Sequence, residues 1–370
     1  MLAPMGSVHR RFNSANIEAL QSLGYKVELA ANFNNGEGPE QQNQHYVLEC
    51  KEKGVVTHSI PFQRRSFTGT LRCMRQIRNL LKSGGYDIVH THTETGGLIL
   101  RLARNVKGKS RFFYTPHGMS FWKGSSLKSQ LLYRPLERWI CSGMDMNLGM
   151  NQEEVDVLRK WNSKTAVYVH GIGLDLGRFQ KAGRTRSEVR AEFGVSDDDK
   201  LIVSVGELDD NKNHAIVIKA LALFENSTYK YVVCGVGPNK DILIQLAADA
   251  GLSNKVILAG YRSDVPDILR AADLFVFPSY HEGLPVSALE AMACGLPLVC
   301  SKIRGNVDIV KDGENGYLFD PEDYSSLALL MCRLMDNKNL AQVFGERNKQ
   351  IVKDFAQEAV IGELKKLYNI

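Results

Sequence analysis

Phe277-Pro-Ser-Tyr-His-Glu-Gly-Leu-Pro-Val-Ser-Ala-Leu-Glu-Ala-Met-Ala-Cys-Gly-Leu-Pro-Leu-Val299 decides how this chain is read. The apolar run Asp273-Leu-Phe-Val-Phe277 before it reads as a buried strand. Pro285 to Cys294 reads as a helix, with Pro285 at the first helical position and Gly295 as the stop. Leu298 to Cys300 reads as the next strand. Strand, glycine turn and helix N-terminus is a place where N–H groups and the helix dipole hold an anion. Glu282 lies in the turn, and Glu290 lies on the helix about 7.5 Å along the axis from Pro285. That spacing suits hydroxyl recognition beside a phosphate. It equally fits two surface glutamates on a packed helix.

The chain around this stretch has 370 residues, which predicts two domains. The hydrophobic fraction of 44% and charged fraction of 24% indicate a globular protein with sizeable cores. No apolar run reaches the ~20 residues of a membrane span, and no signal peptide is visible. The seven cysteines form no Cys-x-x-Cys pair, so they read as free thiols in a reducing, cytoplasmic compartment. Residues 1–170 carry 23 Lys and Arg against 13 Asp and Glu; the remainder carries 23 against 28. A basic first half suits an acidic partner, either a diphosphate-linked substrate or the anionic inner face of a membrane, and equally a solvated basic surface. Nucleic acid is not expected, because no aromatic–basic interleaving accompanies the charge.

Short strands alternate with helical segments along the chain, which predicts parallel sheets covered on both faces. The strands of the first half are Tyr25–Ala31, Val55–Ile60, Asp87–Thr91, Arg111–Thr115 and Met144–Leu148. The alternation restarts after His170-Gly-Ile-Gly-Leu-Asp175. The predicted class is α/β: two Rossmann-like domains facing across a cleft, residues 1–168 and 169–345. A helical segment, 346–370, would pack back on the first domain. Residues 32–44 read as a loop, and about 340–368 as a long helical tail. Ligands of such sheets bind at the C-terminal ends of the strands.

Three more stretches occupy such ends. Gly206, Glu207 and Lys212 lie between a strand and a helix that Asp210 or Asn211 can cap. Lys212 beside a helix N-terminus makes sense with a bound anion, and also as a solvent-facing lysine. Cys234-Gly-Val-Gly-Pro-Asn239 is not a dinucleotide fingerprint, and close backbone packing is its expected role. His117 follows the strand ending at Thr115; His90 and His92 follow another strand and read as core or capping residues. No metal-site spacing appears, and none is expected.

In this order and spacing, Pro116-His-Gly118, Gly171-Ile-Gly-Leu-Asp175, Val205-Gly-Glu-Leu208 with Lys212-Asn-His214, Gly235-Val-Gly-Pro238, Gly260-Tyr-Arg262 and Glu282-x7-Glu290 resemble family 4 glycosyltransferases of the GT-B fold. Within that family the chain is most similar to bacterial exopolysaccharide and capsule enzymes. The resemblance implies a retaining, metal-independent transferase moving a sugar from a nucleotide-sugar, a UDP-sugar above all, to a glycan or polyprenyl-diphosphate-linked acceptor. No cofactor beyond the donor is implied. It assigns Lys212, with Gly206 and Glu207 in its loop, and the turn Gly283, Leu284, Pro285 and Val286, through the N–H groups it has, to the donor diphosphate. Glu290 falls to the ribose, Tyr261 and Arg262 to the base, and Glu282 and His117 to the transferred sugar. Gly6, Ser7 and His9 replace the family's two-glycine acceptor loop, and Glu207 stands where many members have Arg. A sugar-nucleotide epimerase or hydrolase of the same fold, or a non-catalytic nucleotide-sugar module, are the alternatives.

Overall fold

The computed structural model describes residues 1–33, 40–62, 67–104, 109–121, 125–161, 165–181, 183–196, 198–224 and 228–369. It divides into two units, Met1–Gly173 with Gln357–Ile370, and Leu174–Ala356.

The first unit is built on a seven-stranded sheet. Its strands are β1 (Leu2–Met5), β2 (Glu28–Asn32), β3 (Val56–Ser59), β4 (Ile88–His92), β5 (Arg111–Thr115), β6 (Met146–Gly149) and β7 (Ala166–Tyr168), in the order β3-β2-β1-β4-β5-β6-β7. The second holds β8 (Lys200–Val205), β9 (Tyr229–Cys234), β10 (Val256–Gly260), β11 (Leu274–Phe277), β12 (Leu298–Ser301) and β13 (Gly316–Phe319), ordered β10-β9-β8-β11-β12-β13. Every pairing within both sheets is parallel. Parallel strands need helical crossovers, so both faces are covered and the central strands read as unbroken apolar runs. Leu201, Ile202 and Val203 of β8 and Leu274 through Val276 of β11 are fully buried. In each sheet the order reverses once, between β1 and β4 and between β8 and β11, leaving a crevice at the strand ends there.

Several expectations are corrected. Glu40–Glu52 is a helix, not the tail of a loop; residues 34–39 of that stretch lie outside the described ones. Gly6–Phe12 is a helix entered straight from β1, not a turn. β7 and β13 are strands that carried no strand signal. The long helical tail is broken: Lys338–Ile351 runs into a 3-10 turn, Val352–Phe355, then Ala356 is extended, and Gln357–Tyr368 starts anew. The break decides the allegiance of each piece. Asn348 is buried and donates to the carbonyl of Leu296, while Gly345 lies so close to Gly295 that a Cβ would fall 2.1 Å from its carbonyl oxygen. The piece before the break is therefore core of the second unit, which extends to Ala356 rather than 345. The last helix buries Val360, Ile361, Leu364 and Tyr368 against Ala15, Leu20 and Phe113 of the first unit. Among the described residues no helix is long and apolar enough to cross a membrane.

Candidate functional site: two sets of strand ends

In the second unit the loops after β8 and β11 meet at the point where the strand order reverses. Tyr280 N–H donates to Asn211 C=O (2.8 Å), and the Asn211 amide returns a bond to His281 C=O (3.0 Å). Asn213, not Asp210 or Asn211, caps the following helix, His214–Leu221. Its φ of 52° is left-handed, and its amide is tied to the carbonyls of Pro278 (3.3 Å) and Pro321 (2.9 Å). Strain of this kind persists only where surroundings hold it. The loop after β9 then packs backbone to backbone on the same assembly. A Cβ on Gly235 would lie 1.7 Å from Gly206 O, and one on Gly237 would lie 2.4 Å from Leu208 O. The glycines of Cys234–Asn239 serve close packing, here of loop on loop.

On this frame Lys212 Nζ sits 2.5 Å from Glu282 Oε1, with the two side chains only 21% and 12% exposed. Seventy positions of sequence separate them. Gly206 makes room: a Cβ there would press on Lys212 Cδ and Cγ at 3.2 and 3.3 Å. Glu207 is exposed, and its carbonyl accepts from His214 Nε2 (3.2 Å).

The glycine turn differs from expectation at its helix end. Pro285 is the N-cap of a helix running Val286–Ala293, and its carbonyl accepts from Ala288 (3.0 Å) and Leu289 (3.1 Å). Pro285 has no N–H to offer, and that of Val286 is bonded to Leu284 C=O (2.9 Å). An anion at this turn would have to displace the Val286 bond. The turn is held from β12 by a pair the sequence reading passed over, Arg304 and Gly305. Arg304 is buried; its Nε donates to Glu282 C=O (3.2 Å) and its Nη2 to His281 Nε2. Gly305, at φ 82°, lies so close that a Cβ would meet Gly283 O at 2.9 Å. The signal was a fourth strand–turn–helix, Ser301-Lys-Ile-Arg-Gly-Asn306, in register with the other three.

Glu290 is on the second turn of the helix. Burial pushes its carboxyl up to about 7, against a smaller downward pull from Arg178. Tyr261 is 78% exposed after β10. The guanidinium of Arg262 is not free to frame a base: it is paired with Glu192 (2.7 Å) and Asp264 (2.7 Å).

In the first unit, Gly6, Ser7 and His9 are buried, which corrects their expected place on an acceptor loop. Gly6 is required because a Cβ would fall 2.6 Å from Phe33 Cδ1. His9 uses both ring nitrogens internally, at the end of a chain of hydrogen bonds whose direction is set throughout. Thr115 Oγ donates to His90 Nε2 (2.9 Å), His90 Nδ1 to Tyr368 (2.7 Å), and Tyr368 to Asn16 (2.7 Å). Asn16 donates to Asn13 (3.4 Å), Asn13 to His9 Nδ1 (2.8 Å), and His9 Nε2 to Ala30 C=O (3.4 Å). Burial pushes His9 down to about 3 and His90 well below its ordinary range, so both stay neutral. Beside this chain, His92 Nδ1 and His117 Nε2 are 2.9 Å apart. His117 has φ 58°, and its loop is pinned where Met119 N–H donates to buried Glu154 (2.8 Å). Among the described residues no three of His, Cys, Asp or Glu are gathered to hold a metal ion.

Residues 10–173 match the model of the glycosyl transferase 4-like domain, and residues 185–351 that of glycosyl transferases group 1. EpsD of Bacillus subtilis (strain 168), provisionally named a glycosyltransferase, is 30% identical over 97% of this chain and 93% of its own length. The chain belongs to the family 4-like glycosyltransferases. This glycosyltransferase is also 29% identical to the Escherichia coli UDP-Gal:α-D-GlcNAc-diphosphoundecaprenol α-1,3-galactosyltransferase, across 87% of this chain and 88% of that enzyme. Its fold is that of Anabaena Alr3699/HepE, solved with UDP, with a TM-score of 0.81 over 100% of this chain and 98% of that one at 18% identity. The glycosyltransferase therefore has the GT-B fold.

Proposed function

We propose that this glycosyltransferase takes a sugar from a UDP-sugar and places it, with retained anomeric configuration and without a metal, on a polyprenyl-diphosphate-linked glycan in polysaccharide assembly. The observation that carries the reading is the half-buried Lys212–Glu282 pair at the reversal point of the second sheet. A cation already countered by a carboxylate is held where a diphosphate can exchange for that partner. The ammonium then faces the phosphates and Glu282 is released to the sugar hydroxyls. Lys212, with the turn before Val286, supplies fixed positive charge for the leaving group, the role a metal has elsewhere. Glu290 accepts from the ribose hydroxyls, and Tyr261 with the main chain beside it borders the base. His117, in the first unit, meets the transferred sugar. The bond from the anomeric carbon to the phosphate oxygen breaks while the bond to the acceptor oxygen forms on the same face. The acceptor's proton passes to the departing phosphate, so no protein base is needed. The named activities of the Escherichia coli relative, and UDP in the HepE structure, support donor and acceptor class.

A lipid-linked acceptor places the enzyme at a membrane surface. The basic first unit and its helix Leu127–Cys141, with Leu127 and Leu131 exposed at 81% and 78%, suit peripheral contact there. The test is a thermal-shift titration with UDP-, GDP- and ADP-sugars, followed by transfer assays on GlcNAc-diphosphoundecaprenol. UDP-sugars alone should raise the melting temperature, and Lys212→Ala should abolish that rise and the transfer. Wild-type transfer by Lys212→Ala sinks the site assignment.

A further inference from the structure

We infer that His92 is a positioning residue, donating from Nδ1 to His117 Nε2 and so holding His117 as the tautomer whose single N–H is on Nδ1. This rests on the reading of His117 as the group that meets the transferred sugar.

His92 is the last residue of β4, fully buried, and paired in register with Thr115. The chain leaves β5 two residues before His117, turns into the left-handed region, and lays that imidazole back over His92, with centroids 5.1 Å apart. Phe12 packs against His117 at 5.3 Å. Left-handed backbone at a non-glycine residue is unfavourable alone, so these contacts hold the ring in a conformation it would otherwise leave.

One nitrogen of the pair must donate and the other accept. The choice follows from the other end of His92. Its Nε2 is buried and has no hydrogen-bond partner among the described residues. If the proton sat there, an N–H would be buried with no acceptor. If it sits on Nδ1, only a bare lone pair goes unmatched. Orphaned buried donors are the rarer defect in folded proteins, and under-used acceptors are better tolerated. The proton therefore belongs on Nδ1, directed to His117. A doubly protonated His92 is excluded by its surroundings: it lies 4.2 Å from His90 and 6.2 Å from His9, centroid to centroid, with no carboxylate bonded to it among the described residues. Burial pushes it well below the ordinary histidine range and His117 down to about 4. The two remaining histidines are closed to ligands because the Thr115-to-Ala30 chain occupies all their ring nitrogens. Of the four, only His117 has exposed surface. What reaches a ligand is then an N–H, complementary to a sugar oxygen through its lone pair.

The test is two-dimensional 15N–1H correlation of ring nitrogens in histidine-labelled full-length enzyme, with His117 assigned through its loss in His117→Gln. Wild type should show His117 protonated on Nδ1 and bare on Nε2; the opposite pattern overturns the inference without any variant having to fold. In His92→Phe that pattern should be lost, and transfer from UDP-galactose to GlcNAc-diphosphoundecaprenol should slow by about ten- to a hundredfold in kcat, with donor KM little changed. His92→Asn, whose amide can donate from near the Nδ1 position, should restore both. A His92→Phe enzyme that keeps the wild-type pattern and rate refutes the proposal while the role of His117 survives. Full turnover by His117→Ala instead refutes that role.

Discussion

Glu290 offers the sharpest test of how the site is built. The carboxyl titrates near 4.5 in an unfolded chain and near 7 here, chiefly because it is buried. Below pH 4.5 it is neutral in both states and stability is unaffected. Between about 4.5 and 7 the unfolded chain loses the proton and the folded one keeps it, so folding is penalised by about 1.4 kcal/mol per pH unit. Above 7 both are ionised and the penalty levels at about 3 kcal/mol. Glu290→Gln keeps the shape and removes the charge. Relative to wild type it should be unchanged at pH 4.5 and gain up to about 3 kcal/mol at pH 8, a rise of several degrees in melting temperature for the second unit. The function reads the same proton. Two ribose hydroxyls donating to one carboxylate need the ionised form, so UDP affinity in wild type should increase as pH rises from 6 to 8, and stay flat in the variant. Scanning fluorimetry and calorimetric titration at pH 5, 6, 7 and 8 measure both. An equal stability difference at all pH values would refute the burial argument, and a pH-independent wild-type affinity would refute the ribose assignment.

Three other outcomes follow from the packing. Gly206→Ala should leave the fold intact but deflect Lys212, raising donor KM by about tenfold or more, since the atoms nearest its Cβ belong to the flexible Lys212 chain. Gly235→Ala, whose Cβ would fall on the Gly206 carbonyl, should destabilise the second unit by about 3 kcal/mol or more, seen as a lower urea midpoint with unchanged slope. Tyr368→Phe strands the buried His90 Nδ1–H and Asn16 amide oxygen, and should lower the stability of the first unit by about 1–3 kcal/mol, read by hydrogen exchange of β4 and β5.

Much of the site was legible because it is local. A strand, a glycine turn and a helix N-terminus announce themselves within about fifteen residues, and the turns at Gly206, Gly235 and Gly283 stand at strand ends in the sheet as they do in the sequence. Strand alternation likewise carried the parallel α/β class. Composition failed where burial is partial or context supplies the structure. The three residues of β7 are half-exposed and too few to show a period, and the polar start of the helix Glu40–Glu52, as far as Gln44, read as loop.

Alone, then, the sequence determined the two sheets, their crossovers and the order of the motifs, because backbone sterics and hydrophobic period act over a few neighbours. Only tertiary structure decided what each side chain faces. Lys212 meets Glu282 across seventy positions, and Arg304 reaches back to the turn from the next strand. His9 turns inward to complete a buried hydrogen-bond chain, and His92 takes up His117. Such pairings depend on which strand ends the topology makes adjacent and on where buried polar groups must find partners. No periodicity in the chain encodes either.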